Sequence, residues 1–186
     1  MRGFLATASA VLLAIGIAVA GLALAWQPPT YRGVGVAFTA TFPGSVRAVS
    51  VTHGDARVAA WVAHRGRERY AVIVESPAAL RLSPSQRRRL LATVTRRLGG
   101  PLVSGWFAYA PLQQACGPPV RRAEPAGHVA TARFVGPVRP LHGPTAPCLG
   151  TLVFHVGGAQ LVASALGPRA TVRSFIDSVA LTNASG

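Results

Sequence analysis

The sequence predicts an α+β protein: an N-terminal transmembrane or signal helix, then an α+β sandwich with a mostly antiparallel sheet and two amphipathic helices. Three observations lead there. The chain opens on a long uncharged apolar run. The next stretch alternates apolar and polar residues between short turn signals, and two later segments repeat apolar residues at helical spacing. A length of 186 residues holds one domain and an appendage rather than two full domains. A 50% hydrophobic content excludes a disordered chain, and 2 Cys are too few for a disulfide-dense scaffold. The expected divisions are 1–26 (signal anchor or signal peptide), 27–33 (short tether), 34–182 (a single exported domain) and 183–186 (tail).

From Gly3 to Trp26 the chain carries no charge. A helix of about 20 apolar residues spans the bilayer hydrocarbon. Secretory signals have a shorter apolar region and a small-residue cleavage site, and Ala23-Leu24-Ala25 supplies such a site directly before Trp26. The length of the run and Trp26, placed as an interfacial aromatic, read instead as a retained anchor. Arg2 and the amino terminus favour an inside N-terminus. Either way everything after Trp26 is expected outside the cytoplasm: a membrane domain if the helix is kept, a secreted one if it is cleaved after Ala25.

Beyond the tether, Val34, Val36, Phe38, Ala40 and Phe42 alternate as one face of a strand. Val49 and Val51, then Val58 to Val62 around Trp61, then Tyr70 to Val74 read as further strands. The turns at Pro43-Gly44-Ser45, His53 to Ala56 and Arg65 to Arg69 make a four-stranded antiparallel meander. Ser83-Pro84-Ser85-Gln86 is a helix start, with a cap, Pro at the first helical position and Gln three residues on. Leu90, Leu91, Val94 and Leu98 follow at helical spacing until Gly99-Gly100-Pro101. Strands are expected over Val103–Tyr109, His128–Val135, Gly150–Val156 and Gln160–Leu166, the last two joined at Gly157-Gly158. Pro118-Pro119 and Pro137 to Pro147 read as surface loops. Pro168 opens a final helix with Val172, Phe175, Ile176 and Val179 on one face.

Three segments in this order carry a resemblance: the strand and turn Phe38-Thr39-Ala40-Thr41-Phe42-Pro43-Gly44, the strand Tyr70-Ala71-Val72-Ile73-Val74, and the helix Ser174-Phe175-Ile176-Asp177-Ser178. The pattern resembles the PsbP-like fold, an α-β-α sandwich found in uncharacterised small exported bacterial envelope proteins and lipoproteins. The resemblance covers about Val34 to Leu181 and implies that fold. Its motifs encode packing and carry no catalytic residue. Unlike the lipoproteins, this chain has no Cys at the end of the apolar run.

Cys116 and Cys148, both in the exported part, are expected to form one disulfide. Closing that loop stabilises by about 3.5–4 kcal/mol in the chain-entropy model. The alternative is an envelope hydrolase or transferase with a dispersed site such as Cys116 and His128. His53, His64, His128, His142 and His155 show no metal-binding spacing, so no metal and no cofactor is expected. The acids Asp55, Glu68, Glu75, Glu124 and Asp177 form no evident catalytic pair. G-x-S-x-G, G-x-G-x-x-G and the phosphate-loop motif are absent.

The formal net charge is +14 and every one of the 19 basic residues is Arg. Arg87-Arg88-Arg89 and Arg96-Arg97 concentrate that charge on the first predicted helix. At about 100° per residue, Arg88, Arg89 and Arg96 fall opposite Leu91, Val94 and Leu98. Such a stripe suits anionic lipid or an acidic envelope polymer. No aromatic residue interleaves it for base stacking, and an exported protein seldom meets nucleic acid, so nucleic acid is not an expected partner. The reading is a non-catalytic, exported, membrane-tethered binding or accessory domain of the cell envelope. Its partners are the membrane through the N-terminal helix, an envelope protein not identified by the sequence, and a polyanion through the Arg helix.

Overall fold

A computed structural model describes residues 28–99, 115–123, 129–135 and 148–182, with backbone alone for 115–123 and 129–135. The expected N-terminal helix and the Val103–Tyr109 strand lie outside these residues.

The protein is mixed α+β with antiparallel sheets. In chain order the strands are β1 (Thr30–Gly33), β2 (Val36–Thr39), β3 (Arg47–His53), β4 (Ala56–Arg65), β5 (Glu68–Glu75), β6 (Ala115–Ala123), β7 (Val129–Val135), β8 (Cys148–Val156), β9 (Ala159–Gly167) and β10 (Ala180–Leu181). The helices are α1 (Pro77–Leu80), α2 (Pro84–Leu98) and α3 (Arg169–Ser178). Seven strands form one sheet in the order β3-β4-β5-β9-β8-β7-β6, and three form another in the order β1-β2-β10.

Alternation along β4 sets the layers. Val58, Ala60 and Val62 point to one core with Leu90, Val94 and Leu98 of α2. Ala59, Trp61 and Ala63 point to the other with Val36 and Phe38 of β2 and Val172, Phe175 and Ile176 of α3. A central strand apolar on both faces must be covered on both. α2 and the short α1, through Ala79, lie on one face, while α3 and the small sheet share the other.

The expected start of α2 is present as a full capping box. The Gln86 N–H donates to Ser83 Oγ at 3.4 Å, and the Ser83 N–H donates to Gln86 Oε1 at 3.1 Å. The Gly157-Gly158 hairpin is also present, with φ of 56° and 77°, a left-handed pair suited to Gly.

Several expectations change. The tether is part of the fold: Thr30–Gly33 is β1, paired antiparallel to β2. Val34 and Gly35 form the turn between them, with φ of 56° and 79°, so the apolar alternation expected to begin at Val34 starts at Val36. β2 is not the first strand of a meander; it belongs to the small sheet, and only β3-β4-β5 run as a meander. Alternation reports a buried face but not which sheet owns it. Aromatic contacts decide ownership here: Phe38 meets Trp61 at 5.0 Å between centroids and stacks on Tyr31 at 5.3 Å. Gly33 lets β1 approach that closely, because a Cβ there would lie 2.5 Å from Trp61 Cη2.

Pro118-Pro119, expected in a loop, lies within β6. That strand is outermost in its sheet, and its pairing with β7 shifts register between Ala115 and Gly117 and between Gly117 and Val120. Proline lacks the ladder donor, and an edge strand with bulges is where it is tolerated. On α2 the buried residues are Leu90, Val94 and Leu98, while Leu91, expected to face the core, is half-buried. Val179 is not on the last helix but follows it, extended, and leads into β10.

Candidate functional site

α2 lies over β3 and β4, and its arginines separate into three groups according to their angle around the helix. Arg87 turns toward the sheet. Its Nε donates to Glu75 Oε1 at 3.0 Å, its Nη2 donates to Glu75 Oε2, and Nη2 also reaches Gln160 Oε1 at 3.5 Å. The Glu75 side chain is 3% exposed and that of Arg87 39%. A forked guanidinium matches a carboxylate with two parallel bonds, and the Glu75 bond raises the Arg87 pKa above its usual value despite partial burial. Arg97 turns toward the sheet edge and donates from Nη1 to the Ser50 carbonyl at 3.2 Å.

Arg88, Arg89 and Arg96 are exposed on the outer face. Arg96 Nη2 donates to Thr93 Oγ1 at 3.3 Å. No carboxylate bridges any of these three among the described residues. α2 itself contains no acid. The outer face therefore holds three cations with no carboxylate partner among the described residues, an arrangement that attracts anions.

The other predicted groups are dispersed. Glu68 closes the β4–β5 hairpin opposite Arg65. Arg65 Nε donates to Glu68 Oε2 at 2.8 Å, and the buried Tyr70 hydroxyl donates to the same oxygen. The Arg65 bond, helped by Tyr70, holds the Glu68 carboxyl below its usual pKa against the opposing effect of desolvation. Burial, then the Glu68 bond, pushes Tyr70 up. Asp177 is exposed, with Arg173 Nε 3.6 Å away. Asp55 is exposed in the β3–β4 turn, and His53, His64 and His155 are exposed on separate strands. Glu124, His128 and His142 lie outside the described residues. No group of three or more His, Cys, Asp or Glu among the described residues is placed to hold a metal.

A cleft between Arg65, Tyr70, Thr41 and the Thr171, Ser174 and Phe175 face of α3 has a volume of about 140 Å³. Ligand pockets usually measure about 300–1,000 Å³, so this one is too small for an ordinary substrate.

Cys148 is 1% exposed, and no described cysteine is free. Cys116 lies on β6, whose backbone alone is described. β6 and β8 flank β7 and run in the same direction, and each carries its cysteine within its first two positions.

The Glu75–Arg87 pair is the feature that sequence reading missed. Glu75 reads as a strand end and Arg87 as one of a charged run, and only the docking of α2 on the sheet brings them together. The sequence signal available was weak: an acid at the end of an otherwise apolar strand.

The chain matches no family model, no curated protein and no solved structure.

Proposed function

We propose that this chain is an exported, non-catalytic binding domain of the bacterial cell envelope, tethered by Gly3–Trp26 or secreted after cleavage at Ala25, that takes polyanions on the outer face of α2. The observation that supports this is the separation of the α2 arginines. Arg87 is held by a buried carboxylate, while Arg88, Arg89 and Arg96 face solvent with no carboxylate bridging them among the described residues. Phosphate-bearing headgroups and acidic wall polymers share the chemistry such a face takes. An α-β-α sandwich of the PsbP-like kind and a Cys116–Cys148 bridge belong to the same proposal, the first on the motifs at Phe38–Gly44, Tyr70–Val74 and Ser174–Ser178.

Two measurements test it. A reporter that works only outside the cytoplasm, fused after Gly186, is active if the domain is exported; activity of a cytoplasm-only reporter there refutes export. The full chain in neutral detergent micelles binds fluorescent polyphosphate, more weakly as salt rises. The triple change Arg88→Gln, Arg89→Gln and Arg96→Gln reduces that binding at least tenfold at low salt. Equal binding by the triple variant and its parent overturns the α2 assignment.

A further inference from the structure

The two edges of the seven-stranded sheet are built differently. β6 carries Pro118-Pro119 and two register shifts, devices that stop an edge from recruiting another strand. β3 carries neither. It pairs with β4 without interruption from Arg47↔Val62 to His53↔Ala56, and nothing pairs with its outer side among the described residues.

The bonding phase of that outer side follows from one residue of β4. The Arg57 N–H donates to Ser76 Oγ, and the Arg57 carbonyl accepts from the Ser76 N–H, both at 2.9 Å. Both backbone groups of Arg57 thus turn away from its partner Thr52, so Thr52↔Arg57 is a pair without ladder bonds. Antiparallel pairs alternate, which gives Ser50↔Ala59 and Ala48↔Trp61 the same character. Ala48, Ser50 and Thr52 therefore present N–H and C=O outward, and all three residues are exposed. The Arg97 bond to the Ser50 carbonyl agrees with this phase, because it takes one of those outward acceptors.

The surroundings are cationic. Arg97 lies on the edge, and Arg47 begins the strand with its Nη1 3.5 Å from where a Cβ on Gly99 would lie, at the C-terminal end of α2. Neither β3 nor α2 contains an acid. A second copy of this chain would set Arg47 and Arg97 against their own kind, so charge selects a different occupant.

We propose that β3 is a strand-addition site for an extended acidic peptide segment of a partner protein, which pairs with Ala48, Ser50 and Thr52 as an eighth strand. Alternate side chains of an added strand face the α2 side of the sheet. The partner accordingly carries acids at every second position, and one of its N–H groups replaces Arg97 on the Ser50 carbonyl, freeing that guanidinium for a carboxylate. This site does not depend on the outer stripe of α2.

The probe is an acetylated, amidated heptapeptide alternating Glu with Val and Thr, titrated into the full chain in neutral micelles. A matched peptide N-methylated at the residues whose N–H faces β3 keeps the charge but cannot form the ladder. The expected result is saturable binding of the first and at least tenfold weaker binding of the second. The triple Gln variant of α2 retains peptide affinity within about threefold. Ser50→Pro removes an outward N–H and leaves the β3–β4 ladder intact, so it reduces binding at least tenfold without a change in melting temperature. If that variant does not fold, the methylated peptide on the parent protein decides. Equal binding of the two peptides, or none by either, overturns the proposal. A dimer of the peptide-free chain that Ser50→Pro dissolves overturns the choice of occupant.

Discussion

Glu75 at the end of β5 and Arg87 in the first turns of α2 form a forked ion pair across the sheet–helix interface, and only one partner is shielded from water. Glu75 is 3% exposed and Arg87 39%. Removing the two partners therefore has different consequences. Arg87→Met leaves a carboxylate in the interior without its cation, a situation that costs about 3–5 kcal/mol when the charge is fully buried. Glu75→Gln leaves a guanidinium that can turn to solvent, and its expected cost is about 1–2 kcal/mol, nearer that of a hydrogen bond. Urea unfolding of both variants checks the order; a larger loss for Glu75→Gln refutes it.

The two faces of α2 separate stability from binding. Leu98→Ala is expected to cost about 2–5 kcal/mol, and Phe175→Ala on the opposite core about 3–5 kcal/mol, through lost contacts and the cavity left behind. Leu91→Ala, at a half-buried site, is expected to cost under about 1.5 kcal/mol, and the triple Gln change at Arg88, Arg89 and Arg96 to stay within about 0.5 kcal/mol. Thermal and urea unfolding measure all four. Unfolding of the triple variant refutes the helix orientation.

Acid is expected to destabilise this domain through two groups acting in the same direction. Glu68 titrates below its ordinary 4.5 because Arg65 and Tyr70 donate to it. Its contribution is complete above about pH 4.5 and is lost as pH falls through the lower folded value. His64 titrates below its ordinary 6.5, through partial desolvation and then the charges of Arg69 and Arg47. The unfolded chain then takes up that proton first, so stability declines as pH drops below about 6.5. Glu68→Gln should flatten the stability profile in the carboxylate range and His64→Gln in the imidazole range. Profiles unchanged by either substitution refute these assignments.

The proposed bridge between Cys116 and Cys148 would have to cross the end of β7. Two strand spacings amount to about 9.6 Å, more than the roughly 7 Å between Cα atoms that a disulfide tolerates. A register shift lies beside Cys116, and β7 ends at Val135, opposite Leu149, one residue after Cys148, so the bridge requires the ends of β6 and β8 to come closer than two strand spacings. Intact mass of the full chain, purified without reductant and measured under denaturing conditions, should show alkylation only after reduction. Cys116→Ala should cost about 2–5 kcal/mol. Alkylation without reductant ends this reading.

Local chemistry was legible from the chain. Ser83, Pro84 and Gln86 specify the start of α2, because a capping box is closed within four residues. Gly157-Gly158 specifies the β8–β9 turn, and the spacing of Val172, Phe175 and Ile176 specifies the buried face of α3. The outward direction of Arg88, Arg89 and Arg96 follows from the same helical geometry. What the sequence could not assign was partnership across distance. An alternating strand has one buried face wherever it lies, so Val36–Thr39 reads the same whether it joins the main sheet or pairs with β1 and β10. Only the meeting of Phe38 with Trp61 and Tyr31 settles it. Arg87 and Arg88 are neighbours of one type, yet one is held by a buried carboxylate and the other faces solvent. The edge position of β3 is likewise a property of the whole sheet. A strand carries no mark of which side lacks a neighbour, and the outward phase of Ala48, Ser50 and Thr52 depends on where Ser76 meets Arg57.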